Sequence, residues 1–386
     1  MKIGIDIRLI GKKQTGSEAV FFNLVKNLTE ISAKGGPASG WEYFLYTDCD
    51  PEKNDDLKRE IKKLELGNNF TVIFLNSPNR FCWNLWYLPN HLRKNPVDVF
   101  HTQYIAPFWL PKKVKLVLTI HDISFNYFPE YIRKSDLFFL KTLIPRSIKR
   151  ADKIITVSES EKKNVVDFYK IPAGKVAFIP NGVDFERFSR AYSAEEKENI
   201  RKKYNLPENF LLYIGTLQPR KNIPVVIEVT KDLDMSLVLA GDRKAHNFDP
   251  KIDDAIQKNN LGDKVIFPGW IDEEDKPALL QMAACFVFPS LYEGFGIPVI
   301  EAMAAGTPVI CSDIPVLREI GAEAALFCDP KNSQEFAEKI SKILTDENLR
   351  NNLIKKGTEV AKNYTWQKNA EKALKIYEDL YRQANP

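Results

Sequence analysis

Two glutamates, Glu293 and Glu301, lie in the stretch of sequence whose residues are best suited to chemistry. A glycine loop follows a hydrophobic run and leads into a helical pattern that contains Pro298, a residue suited to the first helical position. Gly294 and Gly296 let a ligand approach the backbone closely. The N–H groups of a helix start can hold a phosphate or a polarised hydroxyl, and carboxylates accept hydrogen bonds from hydroxyls. The segment therefore suits a phosphorylated ligand with polyol groups, such as a hexose and a ribose.

A pair of adjacent cations, Arg220 and Lys221, follows the hydrophobic run 210–214. At the carboxyl end of a strand, arginine as a fork and lysine as a point charge can clamp a diphosphate. Each motif also has a simpler interpretation when it is taken alone. The cations are then a solvated loop pair, and the two glutamates are solvated residues of a tight connection between a strand and a helix.

Two other motifs offer different chemistry. His121, next to Asp122, ends a hydrophobic run, and strand ends line the ligand crevice in open parallel sheets, although a structural histidine is the alternative. Asp48-Cys49-Asp50 has the D-x-D spacing with which some nucleotide-sugar enzymes hold a metal. Pro51 follows it, so a surface turn is the favoured interpretation. No metal site is expected, and the five cysteines show no C-x-x-C spacing.

The elements that must position these residues form two series. Short β-rich runs alternate with longer helical patterns, which is typical of parallel sheets covered by helices on both faces. A charged stretch separates the series and places a domain boundary near 182–205. The strands of the first series are predicted at 2–7, 42–47, 71–75, 97–101, 115–120, 153–157 and 176–179, and those of the second at 210–214, 236–240, 264–267, 285–288, 308–311 and 325–327.

Composition excludes several classes of protein. The 386 residues carry 55 Lys and Arg against 51 Asp and Glu, a balance too close to neutral for a dedicated nucleic-acid binder. The first residues look like a strand rather than a signal peptide, and no apolar run approaches the ~20 residues that cross a bilayer. We expect a protein of the reducing cytoplasm.

Charge divides unevenly between the two halves. Residues 1–185 carry 28 basic and 20 acidic side chains, while the remainder carries 27 and 31. The basic residues of the first half could contact an anionic membrane or a phosphorylated acceptor, or form a solvated helix face. An aromatic group in the same half suits either packed core, which we favour, or an acceptor platform or membrane contact. Its members are Phe81, Trp83, Trp86, Tyr87, Phe108 and Trp109.

Several spaced motifs, in order along nearly the whole chain, resemble those of the family-4 retaining glycosyltransferases of GT-B fold. They are the Ile5-Asp6-Ile7-Arg8 strand with Thr15-Gly16, Thr119-Ile120-His121-Asp122, Phe128-Pro129-Glu130, Thr156-Val157-Ser158-Glu159-Ser160, Ile179-Pro180-Asn181-Gly182-Val183-Asp184, the 215–222 loop, Leu239-Ala240-Gly241, and the E-x7-E pair Glu293 and Glu301. The resemblance implies an α/β protein with two Rossmann-like, doubly wound domains facing a cleft. Their implied bounds are 1–184 on the acceptor side and 185–364 on the donor side, with a last helix, 365–386, that crosses back to the first domain.

The resemblance also implies site residues for a nucleotide-sugar donor. Glu293 matches the glutamate that contacts the donor sugar, and Glu301 matches the one that holds the ribose. Arg220 and Lys221 match the diphosphate clamp, and His121 resembles a histidine near the donor sugar. The donor-binding backbone positions are Gly16, Gly215, Gly294, Phe295 and Gly296.

Two positions depart from the family pattern. Thr216 stands where some relatives have arginine, so phosphate neutralisation rests more on Arg220 and Lys221. Ser17-Glu18-Ala19-Val20 replaces a run that often contains Gly, Arg and Tyr, which weakens any acceptor assignment borrowed from relatives.

The implied activity is that of a metal-independent, retaining hexosyltransferase without a cofactor. The expected donor is GDP-mannose, and the expected acceptor is a saccharide or lipid-linked saccharide of a surface polysaccharide. A glucosyl- or N-acetylglucosaminyltransferase that uses a UDP-sugar is the alternative. A UDP-sugar epimerase and a non-catalytic nucleotide-sugar-binding protein are further alternatives.

Overall fold

The computed structural model describes residues 1–12, 16–35, 37–245 and 247–385. The chain forms two compact units. Unit 1 contains Met1–Tyr127, Ile132–Gly182 and Trp366–Pro386, and unit 2 contains Phe128–Tyr131 and Val183–Thr365. Each unit is built around its own parallel sheet.

The sheet of unit 1 has seven strands. They are β1 (Lys2–Asp6), β2 (Glu42–Thr47), β3 (Phe70–Phe74), β4 (Val99–Gln103), β5 (Lys115–Ile120), β6 (Lys153–Thr156) and β7 (Val176–Phe178). Their spatial order is β3-β2-β1-β4-β5-β6-β7, and every pairing is parallel. The order reverses between β1 and β4, which is the switch point where ligands bind in open α/β sheets.

Helices cover this sheet because a parallel sheet must bury both faces. They are α1 (Gly16–Ala33), α2 (Asp55–Lys63), the short α3 (Arg80–Cys82), α4 (Leu88–Lys94), α5 (Ser124–Tyr127), α6 (Lys134–Arg150) and α7 (Glu159–Tyr169). A π-helical turn, Trp83–Tyr87, joins α3 to α4. The apolar side chains of β4 and β5 are buried in a continuous core with those of α4 and α6.

The sheet of unit 2 has six strands with the same kind of order. They are β8 (Phe210–Ile214), β9 (Ser236–Ala240), β10 (Val265–Ile266), β11 (Cys285–Phe288), β12 (Val309–Ser312) and β13 (Ala325–Cys328). The spatial order is β10-β9-β8-β11-β12-β13, again parallel throughout. All residues of β11 and β12 are buried, so these central strands read as apolar runs without alternation. The switch point of unit 2 lies between β8 and β11.

Nine helices of unit 2 are described. They are α8 (Phe185–Ser189), α9 (Ala194–Tyr204), α10 (Pro224–Thr230), α11 (Lys251–Lys258), α12 (Lys276–Met282), α13 (Ile297–Ala304), α14 (Pro315–Gly321), α15 (Ser333–Thr345) and α16 (Glu347–Ala361). Side-chain caps mark several starts, including a reciprocal capping box in which Ser193 and Glu196 bond at the start of α9.

The last helix, α17 (Trp366–Ala384), packs on α1 of unit 1. The Tyr377 hydroxyl lies 2.6 Å from Nδ1 of His101 in β4, and both side chains are buried. The amide of Asn369 donates to the Pro180 carbonyl at 2.9 Å. Burial and a nearby His121 lower the pKa of His101 to about 3, so its ring is neutral at physiological pH and serves as a hydrogen-bonding partner.

The observed strands begin and end within about two residues of the predicted positions. The prediction of two doubly wound parallel sheets is confirmed. Within the ranges that the structure covers, no helix combines the length and the apolar character needed to cross a membrane.

Candidate active site

The loops that follow β8 and β11 lie at the switch point of unit 2. Because β8 and β11 are neighbours in the sheet, their carboxyl ends meet at one edge. The predicted cation pair follows β8, and the predicted glutamate and glycine loop follows β11. The strand order thus brings together two motifs that lie more than 70 positions apart in the sequence.

The β8 loop starts with a close backbone approach. Gly215 has a φ of +152°, and its N–H donates to the Ala240 carbonyl at 3.0 Å. A Cβ added at Gly241 would lie 2.2 Å from the Gly215 carbonyl oxygen, so that position requires glycine. The ends of β8 and β9 are consequently held against each other beside the cation pair.

A single 3-10 turn, Pro219–Lys221, presents the two cations. Asn222 closes it in the left-handed conformation at φ +56°. The Asn222 amide donates to the carbonyls of Pro289 and Pro330 at 3.2 Å and 2.6 Å. These bonds fix the turn to the segments after β11 and β13, so the position of the cation pair is set by the hydrogen bonds of a neighbouring side chain to backbone carbonyls.

The two cations contact the residues after β11 directly. The Lys221 ammonium lies 2.5 Å from Oε1 of Glu293, and the Arg220 guanidinium lies 3.6 Å from Oε2. Arg220 also donates to the Tyr292 carbonyl, and its own carbonyl accepts from Leu291 N–H at 2.9 Å. The three charged side chains are only 10–17% exposed. The structure therefore joins the predicted clamp and the first predicted glutamate into one cluster.

The cluster has a net charge of +1 when all three groups are ionised. Burial alone would raise the pKa of Glu293, but Lys221 and Arg220 outweigh burial and hold that pKa below its usual value. The Lys221 ammonium also lies 5.2 Å from the centre of the Phe288 ring. At neutral pH the site thus contains an ionised carboxylate and two cations. Because water screens these mostly buried charges only weakly, the net positive charge suits the recognition of an anionic ligand.

The glycine loop leads into α13. Gly296 precedes the helix with a φ of +122° and offers no side chain for capping. Pro298 is the second residue of α13, not the first as predicted, because Ile297 already has helical geometry. Phe295 is 4% exposed and its ring lies edge-on to Tyr364 at 5.6 Å, which anchors the loop. Gly294 is also buried.

Glu301 lies one turn into α13 and is 8% exposed. Its carboxylate contacts the ammonium of Lys276, the first residue of α12, at 3.3 Å and 3.5 Å from the two oxygens. Burial raises the pKa of Glu301 above its usual value, although Lys276 opposes the rise. The second predicted glutamate therefore has its own cationic partner, separate from the cluster around Glu293.

Two predicted site residues belong to unit 1. Gly16 is the first residue of α1, and Thr15 lies outside the described residues. His121 follows β5, is 8% exposed, and contacts Gln103 at 2.7 Å through Nε2. Burial lowers the pKa of His121 to about 4, so this ring is neutral near pH 7 and can exchange hydrogen bonds but holds no positive charge.

The D-x-D motif is engaged in other contacts. Asp48 forms an ion pair with Lys12, and Asp50 accepts from the Glu52 N–H at 3.0 Å. Within the described ranges, no group of three or more His, Cys, Asp or Glu side chains is arranged to hold a metal ion. Metal independence of the enzyme stays a prediction.

Sequence reasoning missed Lys276 and Asn222. Lys276 opens the apolar segment Pro277–Leu280, and a lysine beside a run that must be buried is a signal for a buried ionic partner. Asn222 follows the cation pair directly, where asparagine is favoured in the left-handed conformation. Neither signal names the partner, because the contacts run to segments at least 25 positions away.

Two family descriptions match the chain. Residues 16–187 match Glycosyltransferase Family 4, and residues 196–360 match Glycosyl transferases group 1. The chain is 30% identical over 311 residues to O-antigen chain mannosyltransferase B of Escherichia coli, a match that covers 78% of each protein. It is 32% identical over 230 residues to O-antigen chain mannosyltransferase RfbU of Salmonella typhimurium, which covers 58% of this chain and 60% of that relative.

Solved structures share the fold. Sucrose-phosphate synthase from Thermosynechococcus elongatus superposes with a TM-score of 0.78 at 23% identity, covering 99% of this chain and 100% of that one. WaaG, a glycosyltransferase involved in lipopolysaccharide biosynthesis, gives 0.70 at 18% identity, covering 97% and 99%. The chain therefore belongs to the group 1, family-4 glycosyltransferases and is a hexosyltransferase of the GT-B fold that its motifs predicted.

Proposed function

We propose that the enzyme transfers mannose from GDP-mannose to a saccharide or lipid-linked saccharide acceptor, with retention of the anomeric configuration. The observation that carries the proposal is the cluster of Arg220, Lys221 and Glu293 at the switch point of unit 2. The choice of mannose follows from the relatives, two of which are named as O-antigen chain mannosyltransferases.

Leaving-group stabilisation is the main chemical task of such a reaction. Cleavage of the sugar–phosphate bond puts positive charge on the anomeric carbon and negative charge on the departing diphosphate. Arg220 and Lys221, both mostly buried, meet the negative charge, and the start of α13 after Gly296 adds the partial positive charge of a helix terminus. Glu293 holds the sugar hydroxyls in this scheme and is not a nucleophile.

The remaining predicted residues take positioning roles. Glu301 accepts hydrogen bonds from the ribose hydroxyls, and the backbone of Gly215, Gly294 and Phe295 binds sugar hydroxyls and phosphate. The N–H of Gly16 contacts a phosphate oxygen. His121, with its neutral ring, exchanges a hydrogen bond with the donor sugar.

Retention is compatible with attack on the face from which the diphosphate leaves. The acceptor oxygen forms its bond to the anomeric carbon as the carbon–oxygen bond to the diphosphate breaks, and the acceptor proton passes to the departing phosphate oxygen. This scheme needs neither a metal nor a protein nucleophile. Transfer is accordingly expected to persist in excess EDTA, and complete loss restored by Mn²⁺ would argue for a metal site.

The proposal is tested by the donor and by two variants. A thermal-shift panel with GDP-, UDP- and ADP-sugars should give the largest stabilisation with GDP-mannose, because a ligand specific for the folded state raises stability by mass action. Arg220→Ala and Glu293→Ala should each lower kcat/KM at least tenfold. If both variants stay within about threefold of wild type, under ~1 kcal/mol, the assignment of the site is wrong.

The alternative activities give different results in the thermal-shift and product assays. A UDP-glucose or UDP-N-acetylglucosamine transferase would give its largest thermal shift with a UDP-sugar. An epimerase would convert the donor to its epimer in the absence of acceptor, whereas the proposed enzyme leaves the sugar unchanged. A binding protein without catalytic activity would show the thermal shift but would form neither a transfer product nor an epimer.

The enzyme is further proposed to work in the cytoplasm at the inner face of an anionic membrane, where lipid-linked acceptors are found. Support comes from an aromatic surface of unit 1, defined by Phe81, Leu85, Trp86, Tyr87 and Phe138. Trp86 is 65% exposed and Phe138 is 66% exposed. Only Trp83 among the four aromatic residues at 81–87 is fully buried, so the packed-core interpretation is wrong for the other three.

Ring contacts and an ion pair join the two segments of this aromatic surface. The Phe81 and Phe139 rings lie 5.0 Å apart, and the Phe139 and Phe138 rings lie 5.8 Å apart. Arg80 and Asp136 lie 3.7 Å apart. Exposed aromatic side chains that cluster in this way are typical of binding surfaces and of the interfacial region of membranes.

The charge around the aromatic surface favours an anionic membrane. Residues 80–94 contain three basic and no acidic side chains, and α6 contains five basic and one acidic. Lys134 and Lys141 are exposed and lie four residues before and three residues after Phe138, on the same face of α6. Each basic side chain near an anionic lipid surface contributes about 1 kcal/mol.

Vesicle sedimentation tests this placement. The protein should bind vesicles with 30% phosphatidylglycerol more than tenfold better than pure phosphatidylcholine vesicles, and Trp86→Ser with Phe138→Ser should abolish the binding. Phe168→Ser is the matched control, because Phe168 is also exposed on unit 1 but lies outside the aromatic surface. Equal binding to both vesicles, equal loss in the control, or self-association in place of vesicle binding would contradict the placement.

A further inference from the structure

Lys276 is a mostly buried cation that none of the roles above uses. Its side chain is 13% exposed, and its ammonium lies 3.3 Å and 3.5 Å from the two oxygens of Glu301. The nearly equal distances mean that the ammonium faces the carboxylate as a whole. The outer lone pairs of both Glu301 oxygens are therefore left for other donors, such as a pair of neighbouring hydroxyls.

A second carboxylate fixes the lysine in place. The Lys276 ammonium lies 2.9 Å from Glu273, and Glu273 lies 3.3 Å from the guanidinium of Arg187. The four side chains form a chain of alternating charge whose sum is zero. Burial lowers the pKa of Lys276, but Glu301 and Glu273 outweigh burial, so the pKa lies above its usual value and the lysine stays protonated.

The backbone around Lys276 is anchored independently of the charged chain. Asp275 precedes α12 and contacts the Lys203 ammonium at 2.6 Å and the Tyr204 hydroxyl at 2.8 Å. Lys203 also contacts Asp272 at 2.7 Å. Since α9 holds the start of α12 in this way, a substitution of the Lys276 side chain should leave the backbone in place.

We infer that Lys276 is a positioning residue that holds Glu301 ionised and aimed at the ribose, and that it thereby gives the donor subsite its preference for a 2′,3′-diol. The inference rests on the proposed role of Glu301. A neutral glutamic acid would offer one acceptor oxygen and one hydroxyl where the diol needs two acceptors, so loss of the charge weakens the ribose contact specifically.

The effect of pH distinguishes this role from a structural one. Without Lys276, only the weaker effect of Arg187 opposes burial and Glu273, so the pKa of Glu301 rises further. The carboxylate of Glu301 then begins to take up a proton at a higher pH than in wild type. Binding of a ribonucleotide should therefore weaken more steeply as pH falls in a Lys276→Met variant than in wild type.

The experiment compares GDP with 2′-deoxy-GDP by calorimetry in the full-length protein, together with steady-state kinetics on GDP-mannose. At pH 6.5, Lys276→Met should weaken the binding of GDP at least tenfold and the binding of 2′-deoxy-GDP less than twofold. In the kinetics it should raise KM and leave kcat within about twofold of wild type. Lys276→Arg should restore most of the GDP affinity. Lys203→Met serves as the structural control, since it loosens the start of α12 without touching Glu301, and it should weaken both nucleotides equally.

The outcomes separate this inference from the proposed function. If Glu301→Gln abolishes the preference for GDP over 2′-deoxy-GDP and Lys276→Met leaves it intact, the role of Lys276 is refuted and the site stands. If Glu301→Gln itself leaves the preference intact, the ribose assignment fails and the inference fails with it. Equal, pH-independent losses for both nucleotides in Lys276→Met would also overturn the inference.

Discussion

Replacing Lys221 by methionine removes the closest partner of Glu293 and leaves a carboxylate that is only 10% exposed. Removing one partner of a buried ion pair costs about 3–5 kcal/mol, because the other charge stays desolvated. Arg220 remains 3.6 Å away, so we expect the lower end, about 3 kcal/mol. For a unit of this size that loss lowers Tm by roughly 6–12 °C.

A double variant separates the cost of the unpaired charge from the loss of packing. Lys221→Met combined with Glu293→Gln removes the desolvated carboxylate, while Arg220 keeps its hydrogen bond to the Tyr292 carbonyl, so stability should recover to within about 1 kcal/mol of wild type. Transfer should stay lost in both variants, because Lys221 is proposed to meet the diphosphate. Calorimetric unfolding at pH 7, with product formation measured in parallel, reads out both quantities.

The pH dependence supplies a second check on the same pair. In wild type the lowered pKa of Glu293 contributes stability above the unfolded pKa of ~4.3, and this contribution is lost as pH falls toward the folded pKa. In Lys221→Met the burial of the carboxylate dominates and favours its protonated form. The stability difference between the two proteins should therefore shrink from pH 7 to pH 5. A single variant within 0.5 kcal/mol of wild type, or additive losses in the double variant, would refute this reasoning.

Three further predictions concern the backbone and the histidines. Gly241→Ala should cost roughly 2–3 kcal/mol, because its Cβ would lie 2.2 Å from the Gly215 carbonyl oxygen, whereas Gly262→Ala, whose Cβ meets no atom within 4 Å, should leave calorimetric stability unchanged. Tyr377→Phe should destabilise unit 1 by about 1–3 kcal/mol in the same assay, because a buried histidine nitrogen loses its partner. Because the pKa of His121 is about 4, its titration should cause no change in kcat/KM between pH 6 and pH 8. A pH dependence in this range that disappears in His121→Asn would contradict this.

Much of the fold and part of the site were predictable because strand order follows from simple rules. Alternating strands and helices predict parallel sheets, and the order of such a sheet makes β8 and β11 neighbours. Their loops then carry Arg220, Lys221 and Glu293 to one edge. The contact between Lys276 and Glu301 was beyond this reasoning, because it depends on how α12 packs beside α13 and no sequence period encodes that packing.

The exposed aromatic residues were mispredicted for a local reason. In an α-helix Trp83 and Tyr87 would lie on the same face, so the burial of one side chain would predict the burial of the other. Here the Leu88 N–H donates to the Trp83 carbonyl in a π-helical turn, and Leu88 is buried together with Trp83. The wider turn rotates Leu85, Trp86 and Tyr87 toward solvent. Apolar composition alone does not reveal such a change of register.

The path of the chain through its two units determines the order in which the units can complete their folding during synthesis. Unit 1 is interrupted after Gly182 and is completed by the segment that starts at Trp366, so the hydrogen bond between His101 and Tyr377 cannot form before α17 has left the ribosome. By then nearly all of unit 2 has been available to fold. A ribosome-bound chain that ends at residue 365 and continues into a flexible linker filling the exit tunnel should therefore protect unit 2 from proteolysis while leaving unit 1 open to cleavage.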